Sequence, residues 1–378
     1  MTAGDNQIPF LDLTGVNREV ADEVRTGWDE IVRTARFVGG DAVTRFEAEW
    51  AQYCGTEYAV GVANGTDALH LVLRGLGIGP GDEVVVPANT FVATVEAIVL
   101  AGAVPRFADV DERTLLVTAD TLKAAVTPAT KALIPVHLYG QMPDLTAIAT
   151  LADELGLMLV EDAAQAHGAT WDGRRAGSFG RAACFSFYPG KNLGAFGDAG
   201  AVVTSDARLV ELLLSMRDHG RAQNAVDGHF QHDVLGTNSR LDALQAVVLS
   251  AKLKRLDEWN ASRRRLRAVY AERIDPAAAT LVDELEGSAG SYHLAVVQVD
   301  DRDRVRADLA AEGIGTGIHY AAPCHLMAPY AEHASGELPV VEASAGRLLS
   351  LPMFPHLGTQ DAERVADRLN AIVARTSR

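Results

Sequence analysis

Leu157-Met-Leu-Val-Glu-Asp162-Ala-Ala-Gln165 and, downstream, Phe185-Ser-Phe-Tyr-Pro-Gly-Lys191-Asn-Leu-Gly-Ala-Phe-Gly-Asp-Ala-Gly200 decide the reading of this chain. The first is an apolar run closing on an acid, the pattern of a buried strand whose C-terminal end carries Asp162. The second sets Lys191 in a turn of small residues, 29 positions after that acid. Ligands of open α/β sheets bind at the C-terminal ends of the strands. A lysine and an acid placed there suit pyridoxal 5′-phosphate (PLP). The amine can form a Schiff base with the cofactor aldehyde. The acid keeps the pyridine nitrogen protonated, which makes the ring a strong electron sink.

The chain has only five lysines. Lys123 falls in an amphipathic helix, Lys131 begins a strand, and Lys252 and Lys254 belong to a long charged helix. Lys191 is therefore the expected attachment point.

Outward from these segments, short β-branched runs alternate with helical patterns. Strands are expected at 58–62, 83–87, 104–107, 131–136, 157–162, 182–186 and 201–204. Helices are expected at 66–76, 91–101, 121–126 and 145–155. This alternation predicts a mainly parallel sheet covered on both faces. The late strands lack long intervening helices, so part of the sheet is expected to be antiparallel. Two helices within 17–53 are joined at Val38-Gly-Gly-Asp41, with Asp41 as N-cap. One long helix is expected over 240–270, with Lys252, Lys254, Arg255 and Arg263-Arg-Arg265 on a solvated face. A strand over 292–299 and helices near 302–312, 341–350 and 360–374 follow. The fold class is α/β: an N-terminal arm and large domain over residues 1–255, and a smaller α+β domain over residues 256–378.

At 378 residues with 48% hydrophobic content, such a core is affordable in size. A net charge of −16 argues against nucleic acid or anionic lipid as partners. Three cysteines without a Cys-x-x-Cys pair imply neither a disulfide framework nor a zinc site, and no metal is expected. The start, with Asp5 and no basic segment leading into an apolar one, lacks the pattern of a signal peptide. The most apolar window, 91–104, contains Glu96 and is short for a membrane span. A soluble, cytoplasmic protein is the expectation.

Asn64-Gly65-Thr66-Asp67 reads as a turn between strand and helix. Gly65 lets backbone approach a phosphate, Thr66 adds a hydroxyl, and the helix N-terminus favours an anion. The same turn is also an ordinary helix start capped by Asn64; its company with Lys191 and Asp162 favours the phosphate. Phe91 can stack on the pyridine ring or belong to the core. Gln165 can bond the cofactor's phenolic oxygen or cap a loop. Ser186 can hold the phosphate or cap its own strand. Gly75-Leu-Gly-Ile-Gly-Pro-Gly81 follows a helix, and Gly190-Lys191 lacks the rest of a P-loop, so neither a dinucleotide nor an ATP site is indicated.

On Asn64-Gly-Thr-Asp-Ala-Leu69, Pro135-Val-His-Leu-Tyr-Gly140, Glu161-Asp-Ala-Ala-Gln-Ala-His-Gly168, the Lys191 segment and Gly236-Thr-Asn-Ser-Arg-Leu-Asp-Ala-Leu-Gln245, the chain resembles the DegT/StrS family. These are PLP-dependent nucleotide-sugar aminotransferases of fold type I. The resemblance runs from Pro9-Phe-Leu-Asp-Leu13 to Leu351-Pro-Met353. It implies Lys191 for the cofactor aldehyde, Asp162 for the ring nitrogen, Gln165 for the phenolic oxygen and Phe91 for stacking. Gly65, Thr66 and Ser186 would bind phosphate, joined by Asn238 from a neighbouring subunit, which implies a homodimer with shared sites. Arg240, His319, Tyr320 and His325 would lie on the substrate side, although Ala321 stands where family members often carry proline. Asn238 also reads as the N-cap of the helix that follows.

The resemblance further implies L-glutamate as amino donor and a nucleotide-linked keto-sugar, expected on dTDP, as acceptor, in secondary-metabolite deoxysugar biosynthesis. Enzymes acting at carbon 3 often carry a Gly-Ser, Lys-Tyr and His pattern between positions matching Arg217 and Gly236. Here His219-Gly-Arg-Ala-Gln-Asn224 and Gly228-His-Phe-Gln-His232 stand instead, which leans the expectation toward carbon 4, with carbon 3 as the alternative. A sugar dehydratase, whose family branch replaces the lysine by histidine, and a non-enzymatic regulator fit less well with an intact Lys191, Asp162 and Gln165.

Overall fold

The computed structural model describes residues 7–222 and 230–376. Asp5, and Gln223, Asn224, Gly228 and His229 of the segment used for the carbon-4 expectation, lie outside the described residues. Two helices, α1 (Thr14–Thr34) and α2 (Asp41–Cys54), lead into β1 (Tyr58–Val62), α3 (Gly65–Gly75), β2 (Glu83–Pro87) and α4 (Val92–Leu100). Then come β3 (Val104–Ala108), α5 (Ala119–Ala125), β4 (Thr130–Leu133), α6 (Leu145–Leu155) and β5 (Met158–Asp162). Short strands β6 (Thr170–Trp171) and β7 (Arg174–Arg175) precede β8 (Ala182–Ser186), β9 (Gly200–Thr204), α7 (Ala207–Met216), α8 (Ala243–Leu253) and α9 (Leu256–Arg273). The last stretch holds β10 (Thr280–Leu281), β11 (Ser288–Ala289), β12 (Ala295–Gln298), α10 (Arg302–Ala311), α11 (Pro339–Ala345), β13 (Leu348–Leu351) and α12 (Thr359–Thr376).

Seven strands form one sheet in the order β1-β9-β8-β5-β4-β2-β3. β9 pairs antiparallel with both β1 and β8, and the other neighbours are parallel. The expected antiparallel portion is therefore the single strand β9, which follows β8 without a helical crossover. Because β9 reverses twice, β1, β8, β5, β4 and β2 all end on the same edge. The main core wraps this sheet, with Val60, Val85, Leu133, Val160, Phe185 and Val202 fully buried. Each such aliphatic or aromatic side chain contributes about 1.5–3 kcal/mol by leaving water.

A second core gathers Tyr270, Val297, Leu309, Leu349 and Leu369 around the antiparallel sheet β10-β12-β13. Ile8, read with the first unit from sequence, packs into this second core and exchanges backbone bonds with Gly313 and Gly315. No described helix is long and apolar enough to cross a membrane.

Several local expectations are corrected. Gly40, with φ +78°, is the N-cap of α2, and Asp41 is its first helical residue. The long helix over 240–270 is two helices broken at Lys254-Arg255, whose side chains both bond Glu23 of α1. It starts at Ala243 with Asp242 as N-cap, so Asn238 caps nothing. Its charged face is only partly solvated: Lys252 is 2% and Arg263 3% exposed. Lys252 Nζ donates to the Gly194 carbonyl at 2.8 Å, and Arg263 donates to the Met353 carbonyl at 2.8 Å. Uncapped carbonyls of turns buried beside these helices are what draw the two cations inward. The helix over 341–350 ends at Ala345, and Leu348-Leu-Ser-Leu351 pairs with β12 as a strand.

Candidate active site

The shared strand edge opens into a cavity of about 610 Å³. Gly65, Thr66, Phe91, Asp162, Gln165, Ser186, Lys191, His319 and Tyr320 all line it, nine of the expected site residues in one place. The topology explains the convergence. Asp162 ends β5, Ser186 ends the adjacent parallel β8, Gly65 follows β1 by three positions, and Phe91 follows β2.

Strand alternation sends Glu161 and Asp162 to opposite faces. Asp162 faces the cavity. Its Oδ2 accepts from the Thr94 hydroxyl at 2.7 Å and its Oδ1 from the Ala164 N–H at 3.1 Å. Glu161 turns into the core, where His137 Nε2 lies 2.9 Å away and the N–H groups of Gly177, Phe179 and Gly180 donate at 2.8 Å. Burial pushes the Glu161 carboxyl up, but the His137 contact and the backbone donors outweigh it and hold the group below the usual range. It ties the loop after β7 to β5 and so fixes the base of the site.

Lys191 is brought down to about 8 by burial, which the charge of Asp162 partly opposes. At pH 7 roughly a tenth of its amine is therefore unprotonated, far more than an ordinary lysine offers, as a nucleophile and proton carrier requires. The turn holding it is pinned on both sides. Lys191 N–H donates to the Tyr188 carbonyl, and Gln245 Oε1 accepts from Phe196 N–H at 2.7 Å.

Asn64 Oδ1 caps α3 by accepting from Asp67 N–H at 2.8 Å. The first N–H groups of the helix, at Gly65 and Thr66, have no acceptor within the helix and meet the cavity. A Cβ on Gly65 would stand 2.7 Å from Ser186 Cβ, so this wall closes over any side chain there and stays backbone only. The Asn64 cap thus leaves the N–H groups of Gly65 and Thr66 free to face the cavity.

Gln165 is fixed in orientation: Oε1 accepts from Tyr139 N–H at 2.6 Å and Nε2 donates to the Tyr320 hydroxyl at 3.0 Å. Its amide carries a second N–H for an acceptor in the cavity. Phe91 is 52% exposed at the start of α4, with its ring 5.6 Å from that of Tyr320; it lies outside the core. His319 stacks on Phe10 and bonds Ser350 Oγ at 2.8 Å. Burial and the nearby Lys191 charge lower it to about 4, so its ring is neutral.

Three expected residues lie elsewhere. His325 is buried away from the cavity between the Phe107 ring and Glu342, whose Oε1 is 3.0 Å from its Nε2. Arg240 pairs with Asp218 at 2.8 Å in a separate cleft beside Val38 and Arg217. Asn238 is exposed, its backbone bridged to Asp218. Conversely, Thr94, Tyr139 and His293 are at the site and were not anticipated. Thr94 lies one turn beyond Phe91, a spacing that places both on one helix face and was available in the sequence. His293 had only the weak signal of a lone histidine beside an apolar strand.

An N-terminal helix cradle, an acid, an oriented amide and a lysine of lowered pKa, spread around one cavity, fit a phosphorylated pyridine aldehyde. Comparison with known proteins agrees. The chain is 46% identical over 359 residues to a UDP-N-acetyl-3-dehydro-alpha-D-glucosamine 3-aminotransferase of Acidithiobacillus ferrooxidans, covering 95% of this chain and 96% of that protein. It is 45% identical over 370 residues to a dTDP-3-amino-3,4,6-trideoxy-alpha-D-glucose transaminase of Streptomyces venezuelae, covering 96% and 95%. The crystal structure of S. venezuelae DesV in complex with a ketimine intermediate superposes with a TM-score of 0.93 at 44% identity, over 97% of this chain and 98% of that one. The fold is that of PLP-dependent aminotransferases, and PLP is the cofactor. With residues 19–370 matching its sequence model, the chain belongs to the DegT/DnrJ/EryC1/StrS aminotransferase family.

Proposed function

We propose that the protein moves an amino group from L-glutamate to carbon 3 of a keto-sugar carried on a nucleoside diphosphate, dTDP or UDP, in deoxysugar or amino-sugar biosynthesis. The observation that carries this reading is the placement of Lys191 and Asp162 in one cavity, with the start of α3 on its wall. Bound PLP supplies an electron sink for the pair released when a C–H bond beside nitrogen breaks. Asp162, held by Thr94 and Ala164, keeps the ring nitrogen charged. Gln165 donates to the phenolic oxygen, and Phe91 covers the ring face. Gly65, Thr66 and Ser186 take the phosphate. Lys191 would carry the proton between the donor's α-carbon and the cofactor's C4′ carbon, which flank one shared nitrogen, a short transfer favoured by its position and lowered pKa.

Carbon 3, the alternative to the carbon-4 lean drawn from the sequence, is the position preferred in this proposal. Both relatives described above carry carbon 3 in their names, and the segment behind the lean lies partly outside the described residues. His319 and Tyr320 supply hydrogen-bonding groups for the sugar. Asn238, exposed and outside its own chain's cavity, supports a homodimer in which it completes the partner's phosphate site, with Arg240 beside it. A cytoplasmic location goes with soluble nucleotide-sugar substrates.

The test is amination of dTDP- and UDP-linked 3-keto and 4-keto sugars with glutamate, followed by NMR of the product. Nitrogen on carbon 3 is expected. Nitrogen on carbon 4 overturns the position, and no amination of any of the four overturns the activity.

A further inference from the structure

Asn192, next in sequence to Lys191, is 5% exposed and ties three segments together. Its Nδ2 donates to Asn260 Oδ1 of α9 at 2.9 Å and to the Ser291 carbonyl at 2.8 Å. A backbone carbonyl only accepts, so the atom facing it is the NH2 group, and the Asn192 amide has one possible orientation. Asn260 is fixed by the same logic, because its Nδ2 donates to the His167 carbonyl at 2.8 Å. Asn192 Oδ1 is then an acceptor, and His293 Nδ1 stands 3.2 Å from it. That contact is a hydrogen bond only when Nδ1 carries the proton.

His293 is held firmly in this place. Ser291 N–H donates to the Gly140 carbonyl and Leu294 N–H to that of Tyr139. A Cβ on Gly140, which has φ +92°, would stand 2.6 Å from His293 N, so only glycine lets the two segments close. The ring lines the same cavity as Lys191. Burial is the first cause that holds the imidazole well below its ordinary value, and the charges of Lys191 and Arg263 with the rings of His319 and His167 add to it. Asp162, across the cavity, is the anion nearest to Lys191 in effect. A neutral imidazole with Nδ1 protonated has an unprotonated Nε2.

We propose that Asn192 is a positioning residue that fixes His293 as the Nδ1-protonated tautomer, so that His293 presents an unprotonated, neutral Nε2 to the cavity it shares with Lys191. The proposal rests on the reading of Lys191 as the reactive amine. A neutral acceptor favours the ammonium form and so limits how far burial depresses Lys191. Asp162 is then free to serve the cofactor ring.

The test uses the cofactor-free full chain and the pH dependence of Lys191 modification by trinitrobenzenesulfonate, located by peptide mass. His293→Phe is expected to move the midpoint down by about one pH unit, since a neutral acceptor facing the same cavity as the ammonium is lost. His293→Gln, whose amide oxygen can accept, is expected to restore most of it, and Asn192→Ala to give an intermediate value. A midpoint unchanged in folded His293→Phe overturns the proposal. Imidazole ¹⁵N spectra of the wild-type chain decide it without any variant having to fold. A pyrrole-type Nδ1 and pyridine-type Nε2 at His293 are expected, and a protonated Nε2 overturns it. Neither readout involves a sugar, so failure of the sugar assignment is seen separately.

Discussion

Thr94 Oγ1 donates to Asp162 Oδ2 at 2.7 Å across 68 positions of sequence, joining the first turn of α4 to the end of β5. Thr90 Oγ1 lies 2.8 Å from the same hydroxyl, so the acid is oriented by a relay from the neighbouring loop. Thr94→Val keeps the shape and removes the donor. We expect the half-reaction with glutamate to slow by roughly 10- to 100-fold, the value of one hydrogen bond to a charged group. Asp162→Asn should slow it by orders of magnitude more, with cofactor still bound. Single-turnover absorbance after mixing with glutamate ranks the two, and equal rates for wild type and Asp162→Asn would remove the role given to the acid.

Lys191→Ala should abolish borohydride-stable attachment of the cofactor and all amination. The unfolding midpoint of the cofactor-free protein should hold, because a buried amine is removed without cutting the turn's backbone bonds. Mapping of reduced cofactor to another lysine in the wild type contradicts the assignment.

The central pair was legible in sequence because the chain has only five lysines and because an acid closes an apolar run. The strands were legible because β-branched runs stood between glycine and proline. Lys252 and Arg263 were misread because charged side chains are seldom interior, and only the folded chain shows the carbonyls that receive them. Leu348–Leu351 was read as helix because a short apolar run carries no period of its own. Thr94 shares a helix face with Phe91, a spacing the sequence carries, but its bond to Asp162, 68 positions away, shows only in the folded chain; His293 meets Asn192 across 101 positions, which no local pattern encodes.

Glu161→Ala should cost about 3–5 kcal/mol, since it strips a buried, paired charge from its partners. Denaturant unfolding at neutral pH measures it. The carboxyl's folded pKa is lowered below 4.5, so its stabilisation is complete above the unfolded value and is lost as pH falls through the folded one. The variant's stability should therefore vary less than the wild type's across that acid window.

Lys252, lowered to about 8 by burial, titrates in the opposite range. The folded state disfavours its ammonium, so this group's contribution is complete above the unfolded value of about 10.5 and is lost as pH falls through about 8. Lys252→Met should flatten the rise in stability between those limits. Thermal melts at pH 7, 8, 9 and 10 follow it; an unchanged slope would show that the ammonium is not the cause.

Mixing Lys191→Ala with Asn238→Ala protein should restore activity to a fraction of sites if the phosphate site is shared, once subunit exchange has been established by mass. A fully active monomer excludes sharing.

β1 lies at the edge of the large sheet, and among the described residues its partner there is β9, with Tyr58 opposite Thr204. During synthesis that partner emerges roughly 140 residues later, a wait of about 7–28 s at ribosomal speed. Until then Val60 and Val62 have no sheet to enter, and the Asn64–Thr66 turn has no strand beside it. A nascent chain arrested before Gly200 therefore presents a strand without its sheet partner. Cofactor capture is expected to begin only after that residue clears the exit tunnel, and truncation before it should leave a chain prone to aggregate.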